Sequence, residues 1–228
     1  MIQTNATIYL SEQRGCTQTD TFRSFHTFNF GSFVFVKKRP IGNLQAFNED
    51  TLMPNASVEQ KIEAQTTIII LPIFGTIEVM SDFNTEGSFV TAGEAYFFRT
   101  IDNEFLKIMN PYDSDMVSYL QIHLQNIDFQ PFNEEKITAF DFINAKNQLL
   151  PCFSNQTNFG FIGQYEGRKE SVYTLKNPQN SIFVFVIEGV FEVQNRLLHA
   201  RDGLSLSDIS EVELEALSND AVVLLIEI

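Results

Sequence analysis

Ile73-Phe74-Gly75-Thr76-Ile77-Glu78-Val79 reads as an apolar strand, a glycine turn and an alternating strand, and the chain repeats the pattern as Ile187-Glu188-Gly189-Val190-Phe191-Glu192-Val193. Glycine at the turn permits the positive φ of a tight hairpin. Downstream of each copy, an acidic turn precedes another alternating strand: Ala92-Gly93-Glu94 in the first and Ala200-Arg201-Asp202 in the second. One hairpin of this kind is weak evidence. Two, each followed by the same turn, predict a duplicated β-barrel rather than one irregular sheet.

Outward from these hairpins, short extended segments dominate. They include Ala6–Leu10, Thr27–Phe35, Thr67–Leu71 and Ser118–Leu124 in the first half, and Asn158–Tyr165, Ser181–Ile187 and Val222–Ile228 in the second. Gly, Asn, Asp and Pro punctuate them, as in sandwiches and barrels. Helical signal is weak. Asn133 to Asn147 has room for one short helix, opened by the acidic turn Asn133-Glu134-Glu135. The expected organisation is an all-β chain of two tandem barrels: residues 1–130, a short helical linker over 131–150, and residues 151–228. Val222–Ile228 is long enough to bridge the two.

Composition narrows the function. Hydrophobic residues make up 44% of the chain and charged ones 19%, which is globular rather than disordered. Phe occurs 23 times, and such rings favour a pleated, half-buried surface. The net charge of −14 repels phosphate backbones, so no nucleic-acid partner is expected. The longest basic run, Lys37-Lys38-Arg39, reads as a solvated turn. No membrane association is expected either, since the apolar run Thr67 to Phe74 is too short to span a bilayer. The N-terminus has no signal-peptide pattern, and Cys16 and Cys152 read as ordinary thiols, so a cytoplasmic location is expected. Neither Cys has a nearby His, and no Gly-x-Ser-x-Gly or phosphate-binding glycine loop is present.

Several segments together resemble a known family. IFGTIEV followed by TAGEAYFF is similar to the core of a cupin half-barrel. Arg14-Gly15, Phe25-His26-Thr27-Phe28-Asn29-Phe30 and Asn48-Glu49-Asp50 resemble the Arg-Gly, His-Thr-Phe-x-Phe and Asn-Glu-Asp motifs of pirin-like proteins. IEGVFEVQNRLLHARDGLSLSD and VVLLIEI are similar to the second cupin of the quercetinase-like branch. The resemblance implies two cupin (double-stranded β-helix, jelly-roll-like) barrels. It also implies iron or another divalent metal in the first, held by three His and one Glu.

This chain departs from that ligand set. Counted without gaps from Gly75, the first His pair falls on Lys61 and Glu63; counted from Gly93, the His and Glu fall on Leu106 and Ile108. A metal of this kind needs imidazole and carboxylate donors converging on one point. Lys61 brings an ammonium, and Leu106 and Ile108 bring no donor, so no cofactor is predicted. Only His26, His123 and His199 occur in the chain. His26 is expected to be structural and His199 exposed; His123 alternates with apolar neighbours and faces either side.

The expected function is therefore a metal-free bicupin that binds a small aromatic molecule or serves as an interaction module. Lys61, Glu63, Tyr96, Phe98, Leu106, Ile108 and His123 are the candidates to line its pocket. Lys61 and Glu63, two apart on a strand, share a face and suit either a barrel ion pair or a solvated edge. Phe74, Phe97 and Phe105 extend an aromatic stripe that serves as pocket or as core. The alternative is an active quercetin 2,3-dioxygenase-type enzyme using Glu63, His123 and ligands outside the family pattern. Homodimer pairing through sheet edges remains open.

Overall fold

The computed structural model describes residues 5–126, 133–142 and 144–228, and alternation of aromatic and β-branched side chains gives twenty-one strands among them. The first twelve are β1 (Asn5–Tyr9), β2 (Gly15–Gln18), β3 (Phe22–His26), β4 (Leu44–Leu52), β5 (Ser57–Ile62), β6 (Thr66–Phe74), β7 (Thr76–Ser81), β8 (Ser88–Thr91), β9 (Glu94–Thr100), β10 (Glu104–Met109), β11 (Val117–Gln125) and β12 (Glu134–Ala139). The others are β13 (Leu150–Ser154), β14 (Phe159–Tyr165), β15 (Glu170–Thr174), β16 (Ile182–Glu188), β17 (Val190–Val193), β18 (Arg196–His199), β19 (Gly203–Ser207), β20 (Glu211–Ala216) and β21 (Ala221–Glu227).

They form two compact units. In the unit Arg14–Ala139, a sheet of order β12-β9-β6-β11-β4-β3-β2 accompanies one of order β5-β10-β7-β8. In the unit made of Met1–Gln13 and Phe140–Ile228, the orders are β1-β19-β16-β21-β14-β13 and β15-β20-β17-β18. The duplication is thus strand for strand: β9-β6-β11-β4-β3 answers β19-β16-β21-β14-β13, and β5-β10-β7-β8 answers β15-β20-β17-β18.

Finer details repeat as well. Gly75 and Gly189 both adopt positive φ, at +82° and +78°. The ladder skips Ile73 between Phe74 and Pro72 in the first unit, and Ile187 between Glu188 and Val186 in the second. Each bulge therefore falls two residues before its glycine and bends the strand into the turn. The two acidic turns also do the same work. Glu94 Oε2 accepts from Thr91 N at 2.9 Å, and Asp202 Oδ2 accepts from His199 N at 2.9 Å.

Each barrel encloses its own apolar cluster. Ile68, Ile70, Tyr96, Phe98, Leu106 and Tyr119 belong to the first, and Ile182, Val184, Phe191, Val223 and Leu225 to the second. In the second unit Glu227 is fully buried, but its carboxylate accepts from Tyr173 Oη at 2.6 Å and from Lys176 N, Asn177 N and Asn180 Nδ2 at 2.9 Å each. Four donors offset the desolvation of the charge.

Four expectations from the sequence are corrected. The helix expected over 133–147 is absent over its first residues, which form β12 against β9; Ile143 lies outside the described residues. Cross-strand partners outweigh the helix-start signal: Glu134 pairs with Arg99 at 2.7 Å, and Lys136 lies 4.4 Å from the centre of the Phe97 ring. The boundaries 1–130, 131–150 and 151–228 give way to the division above. The N-terminal strand β1 pairs with β19 rather than within the first barrel, while Val222–Ile228 stays in the sheet of its own unit. Asp202 Oδ1 accepts from Ser11 N at 2.8 Å, which ties down the end of that returning segment.

The other two corrections concern one loop. Thr27–Phe35 is not a strand; β3 stops at His26 and a turn follows, with Gly31 at φ +54° and the Asn29 side chain accepting from Phe35 N at 2.8 Å. Within the basic run, Lys38 is buried rather than solvated. Burial, then the charge of Arg14, lowers its pKa. No helix among the described residues is long and apolar enough to cross a membrane.

Candidate functional site

Alternation fixes which side chains face the inside of the first barrel. Leu52, Val117 and Tyr119 belong to its core cluster, and Phe22 packs against it. On the same strands, Ser24 and His26 of β3, Asn48 and Asp50 of β4, and Gln121 and His123 of β11 therefore point inward too. The register aligns them in two polar rows. Ser24, Asp50 and Tyr119 are direct cross-strand partners, as are His26, Asn48 and Gln121.

Ser24, Asp50, His26, Asn48 and Gln121 form one wall of a cavity of about 620 Å³, with Tyr119 packed in the core behind them and Phe30 and the inward residues Val58, Gln60 and Ile62 of β5 also on its lining. His26 is buried at the centre of a hydrogen-bond chain. Its Nδ1 lies 3.0 Å from Asn48 Oδ1 and 3.3 Å from Ser24 Oγ, and its Nε2 lies 2.9 Å from Thr17 Oγ1. A neutral ring meets this pattern when Nδ1–H donates to Asn48 and Nε2 accepts the Thr17 hydroxyl. Gln121 Nε2 donates to His123 Nε2 at 2.7 Å. Phe30 lies between the two imidazoles, 5.1 Å from His26 and edge-on to His123 at 5.8 Å.

Burial sets the electrostatics. It pushes the Asp50 carboxyl up to about 7, with the neighbouring Glu49 charge adding to the effect. It brings His123 down to about 4. His26 is also lowered, by burial first, although its Asn48 bond opposes the shift. Near neutral pH both imidazoles are therefore uncharged, and Asp50 is poised between acid and carboxylate. Hydrogen bonding to the Ser24 and Tyr119 hydroxyls opposes the rise, and Tyr119, fully buried beside Asp50, is itself pushed up, by burial first and then by the Asp50 charge.

The equivalent face of the second barrel is built otherwise. Ile70 and Val184 each lie five residues before their glycine, and they pair with Gln121 and Leu225. Those two pair in turn with Asn48 and Phe161, and two residues further along the strands stand Asp50 and Gly163. Asn48, Asp50 and Gln121 thus answer Phe161, Gly163 and Leu225. The fold does not require polar groups at these positions.

The structure divides the residues singled out from the sequence. His123, Lys61 and Glu63 lie on the cavity lining. Tyr96, Phe98, Leu106 and Ile108 lie in the packed core, and all four are fully buried. Phe97 is buried as well, whereas Phe74 and Phe105 are exposed, so the aromatic stripe does not form a single pocket. Lys61 and Glu63 pair at 3.1 Å, with side chains 49% and 74% exposed; they are a solvated rim pair. Leu106 and Ile108 face Gln60 and Val58 across the ladder, so the inward positions of β5 are Val58, Gln60 and Ile62. The ungapped count from Gly75 therefore lands one residue off the inward face, and a one-residue slip exchanges the faces of a strand.

A divalent metal does not fit the residues at these positions in either register. The inward side chains there are Val58, Gln60, Ile62, Leu106 and Ile108, which together offer one amide. Among the described residues no group of three His, Cys, Asp or Glu side chains is placed to hold a metal ion. Ser24, Asn48, Asp50, Gln60 and Gln121 were not among the sequence candidates. The available signal was polar residues at alternate positions in otherwise apolar strands, as in Asn48-Glu49-Asp50 and Gln121-Ile122-His123.

Comparisons with known proteins agree on the fold. Residues 155–228 match the family model of a quercetinase C-terminal cupin domain. No curated protein matches the sequence. The crystal structure of YhhW from Escherichia coli superposes with a TM-score of 0.89 at 16% identity, covering 98% of this chain and 97% of that one. The nickel(II) complex of that bacterial pirin gives 0.86 at 16% identity, covering 98% and 99%. A quercetin 2,3-dioxygenase from Acinetobacter baumannii gives 0.72 at 12% identity, covering 97% of this chain and 78% of that one. The chain therefore has the fold of the bacterial pirin YhhW, two tandem cupin barrels, and residues 155–228 of the second match a quercetinase C-terminal cupin domain.

Proposed function

We propose that the chain binds a small organic molecule in its first barrel and does so without a bound metal. The observation that carries this reading is the cavity of about 620 Å³, walled by two aligned rows of polar side chains that the second barrel lacks. Ligand cavities commonly enclose about 300–1,000 Å³ and place a few convergent polar groups among apolar walls. Phe22 and Phe30 supply aromatic surface on the lining, which suits a small aromatic ligand.

Metal independence rests on donor chemistry. YhhW is known in complex with nickel(II). In this chain Leu106 and Ile108 are fully buried members of the apolar core. Quercetinase-type oxygenation, which the structural likeness brings to mind, has no group of three His, Cys, Asp or Glu side chains placed to hold its metal among the described residues. The test is thermal unfolding of metal-stripped protein against a panel of small aromatic molecules. A ligand that binds the native state raises the unfolding temperature as its concentration passes Kd. The reading predicts equal stabilisation before and after divalent metals are restored. Stabilisation that appears only once metal is added would overturn it.

A further inference from the structure

We propose that the first-barrel cavity binds the edge of an uncharged aromatic lactam, whose carbonyl accepts from Asn48 Nδ2 while its N–H donates to Gln121 Oε1. This deepens the reading above and rests on it. Asn48 and Gln121 are direct cross-strand partners on β4 and β11, so their side chains leave one face of one sheet side by side. Both line the cavity, and they are 1% and 2% exposed. Each amide is held at one end by an imidazole. Asn48 Oδ1 lies 3.0 Å from His26 Nδ1, and Gln121 Nε2 donates to His123 Nε2 at 2.7 Å. An amide held in this way presents its other end in a fixed direction. Those other ends are Asn48 Nδ2 and Gln121 Oε1, and neither bonds another described residue. Unlike the sealed Gln60 Nε2, both keep an open face. Buried polar groups are nearly always paired, so an open donor beside an open acceptor calls for a molecule bearing the complementary pair. A lactam edge carries both, an N–H next to a C=O.

The fold does not demand this pair, since Phe161 and Leu225 stand at the equivalent positions of the second barrel. Charge narrows the ligand class. Lys61 is the one Lys or Arg on the described lining, and Glu63 pairs with it at the exposed rim. A carboxylate or phosphate at Asn48 and Gln121 would lose water without meeting a cation. It would also bring no N–H for Gln121 Oε1, and a lone ketone would leave the same oxygen unpaired. A phenol offers donor and acceptor on a single oxygen. A lactam offers them on neighbouring atoms, which suits two amides on separate strands. Phe22 and Phe30 on the lining favour a planar aromatic ring behind that edge.

The experiment follows the imidazole signals of the full chain by NMR. His26 and His123 hold the two amides, while His199 is exposed in the other unit and serves as the internal control. The probes are 2-pyridone, N-methyl-2-pyridone, phenol, benzoate and toluene, titrated at neutral pH. The first, 2-pyridone, is expected to move the His26 and His123 signals, leave His199 in place, and bind more tightly than the others. N-methyl-2-pyridone lacks the N–H and should bind about tenfold more weakly, the size of one lost hydrogen bond. Gln121→Met removes the acceptor at similar shape. It should weaken 2-pyridone about tenfold and leave N-methyl-2-pyridone unchanged. Asn48→Asp keeps an oxygen for His26 and removes the donor, so it should weaken both lactams. The ranking of the probes on the unsubstituted chain decides the matter even if a variant does not fold. Any other probe binding as tightly as 2-pyridone, or 2-pyridone indifferent to Gln121→Met, overturns the lactam assignment while leaving a ligand cavity. If none of the probes moves His26 or His123, both the assignment and the cavity reading are overturned.

Discussion

Arg14 and Glu49 form an ion pair at 2.8 Å, with side chains only 7% and 12% exposed. The pair joins the start of the first unit to the strand that carries Asn48 and Asp50. Glu49 faces one side of β4, toward Arg14, while its two neighbours face the cavity. Arg14 also lies 4.9 Å from the centre of the Phe25 ring. Removing one partner of a largely buried pair leaves the other charge uncompensated. Glu49→Gln should therefore destabilise the chain by roughly 3 kcal/mol, measured by urea unfolding.

Asn48→Leu leaves the buried His26 Nδ1–H without its best acceptor. The expected loss is about 1–3 kcal/mol, seen as a lower urea midpoint at unchanged slope.

The cavity should give stability an unusual dependence on pH. Asp50 has a folded pKa of about 7, above its unfolded value, because burial disfavours its charge. Between pH 4 and 7 the folded state then holds a proton that the unfolded state has lost, so this group makes stability fall as pH rises through that window. The effect is on the order of 4 kcal/mol over the full window. His123 acts in the opposite sense. Its folded pKa of about 4 lies below the unfolded value, so its share of stability is present above pH 6.5 and is lost as pH falls toward 4. Unfolding free energies measured from pH 4 to 8 should lose the falling component in Asp50→Asn and the rising one in His123→Gln.

Substitutions at the four counted ligand positions should separate sharply. Leu106→Ala and Ile108→Ala remove core volume and should each cost about 2–5 kcal/mol. Lys61→Met and Glu63→Gln alter an exposed pair and should change stability by less than about 1 kcal/mol. Thermal unfolding of the four variants distinguishes core from rim directly.

Asp202→Ala removes the acceptor shared by Ser11 N and His199 N. The first strand should then fray from β19, with faster amide exchange over Asn5–Tyr9 and little change in Arg14–Ala139.

Much of the fold was legible in the sequence because the glycine turn and the acidic turn are local signals. Gly75 and Gly189 take the positive φ that their spacing implied, and the paired acids cap the same backbone N–H three residues earlier. The return of β1 to the second unit was not legible, since strand partners between Ile8 and Leu204 are set by the whole sheet. The strand at 134–139 was misread for a related reason: Glu134 and Glu135 resemble a helix start until Arg99 and Phe97 stand opposite. The site was half legible. His123 was singled out, but Asp50 and Asn48 entered only as family motifs, because inward parity depends on knowing that Leu52 is core. The same gap in parity put the ligand count on Lys61 rather than its inward neighbours.

The central claim is that the first barrel holds its ligand without a metal, and elemental mass spectrometry of the purified chain tests it most directly. After growth with iron, manganese, nickel, copper and zinc supplied, the account predicts far less than one metal ion per chain. Metal close to one per chain, lost together in a His26→Gln, His123→Gln double variant, would contradict it and assign the imidazoles of the cavity to a metal centre.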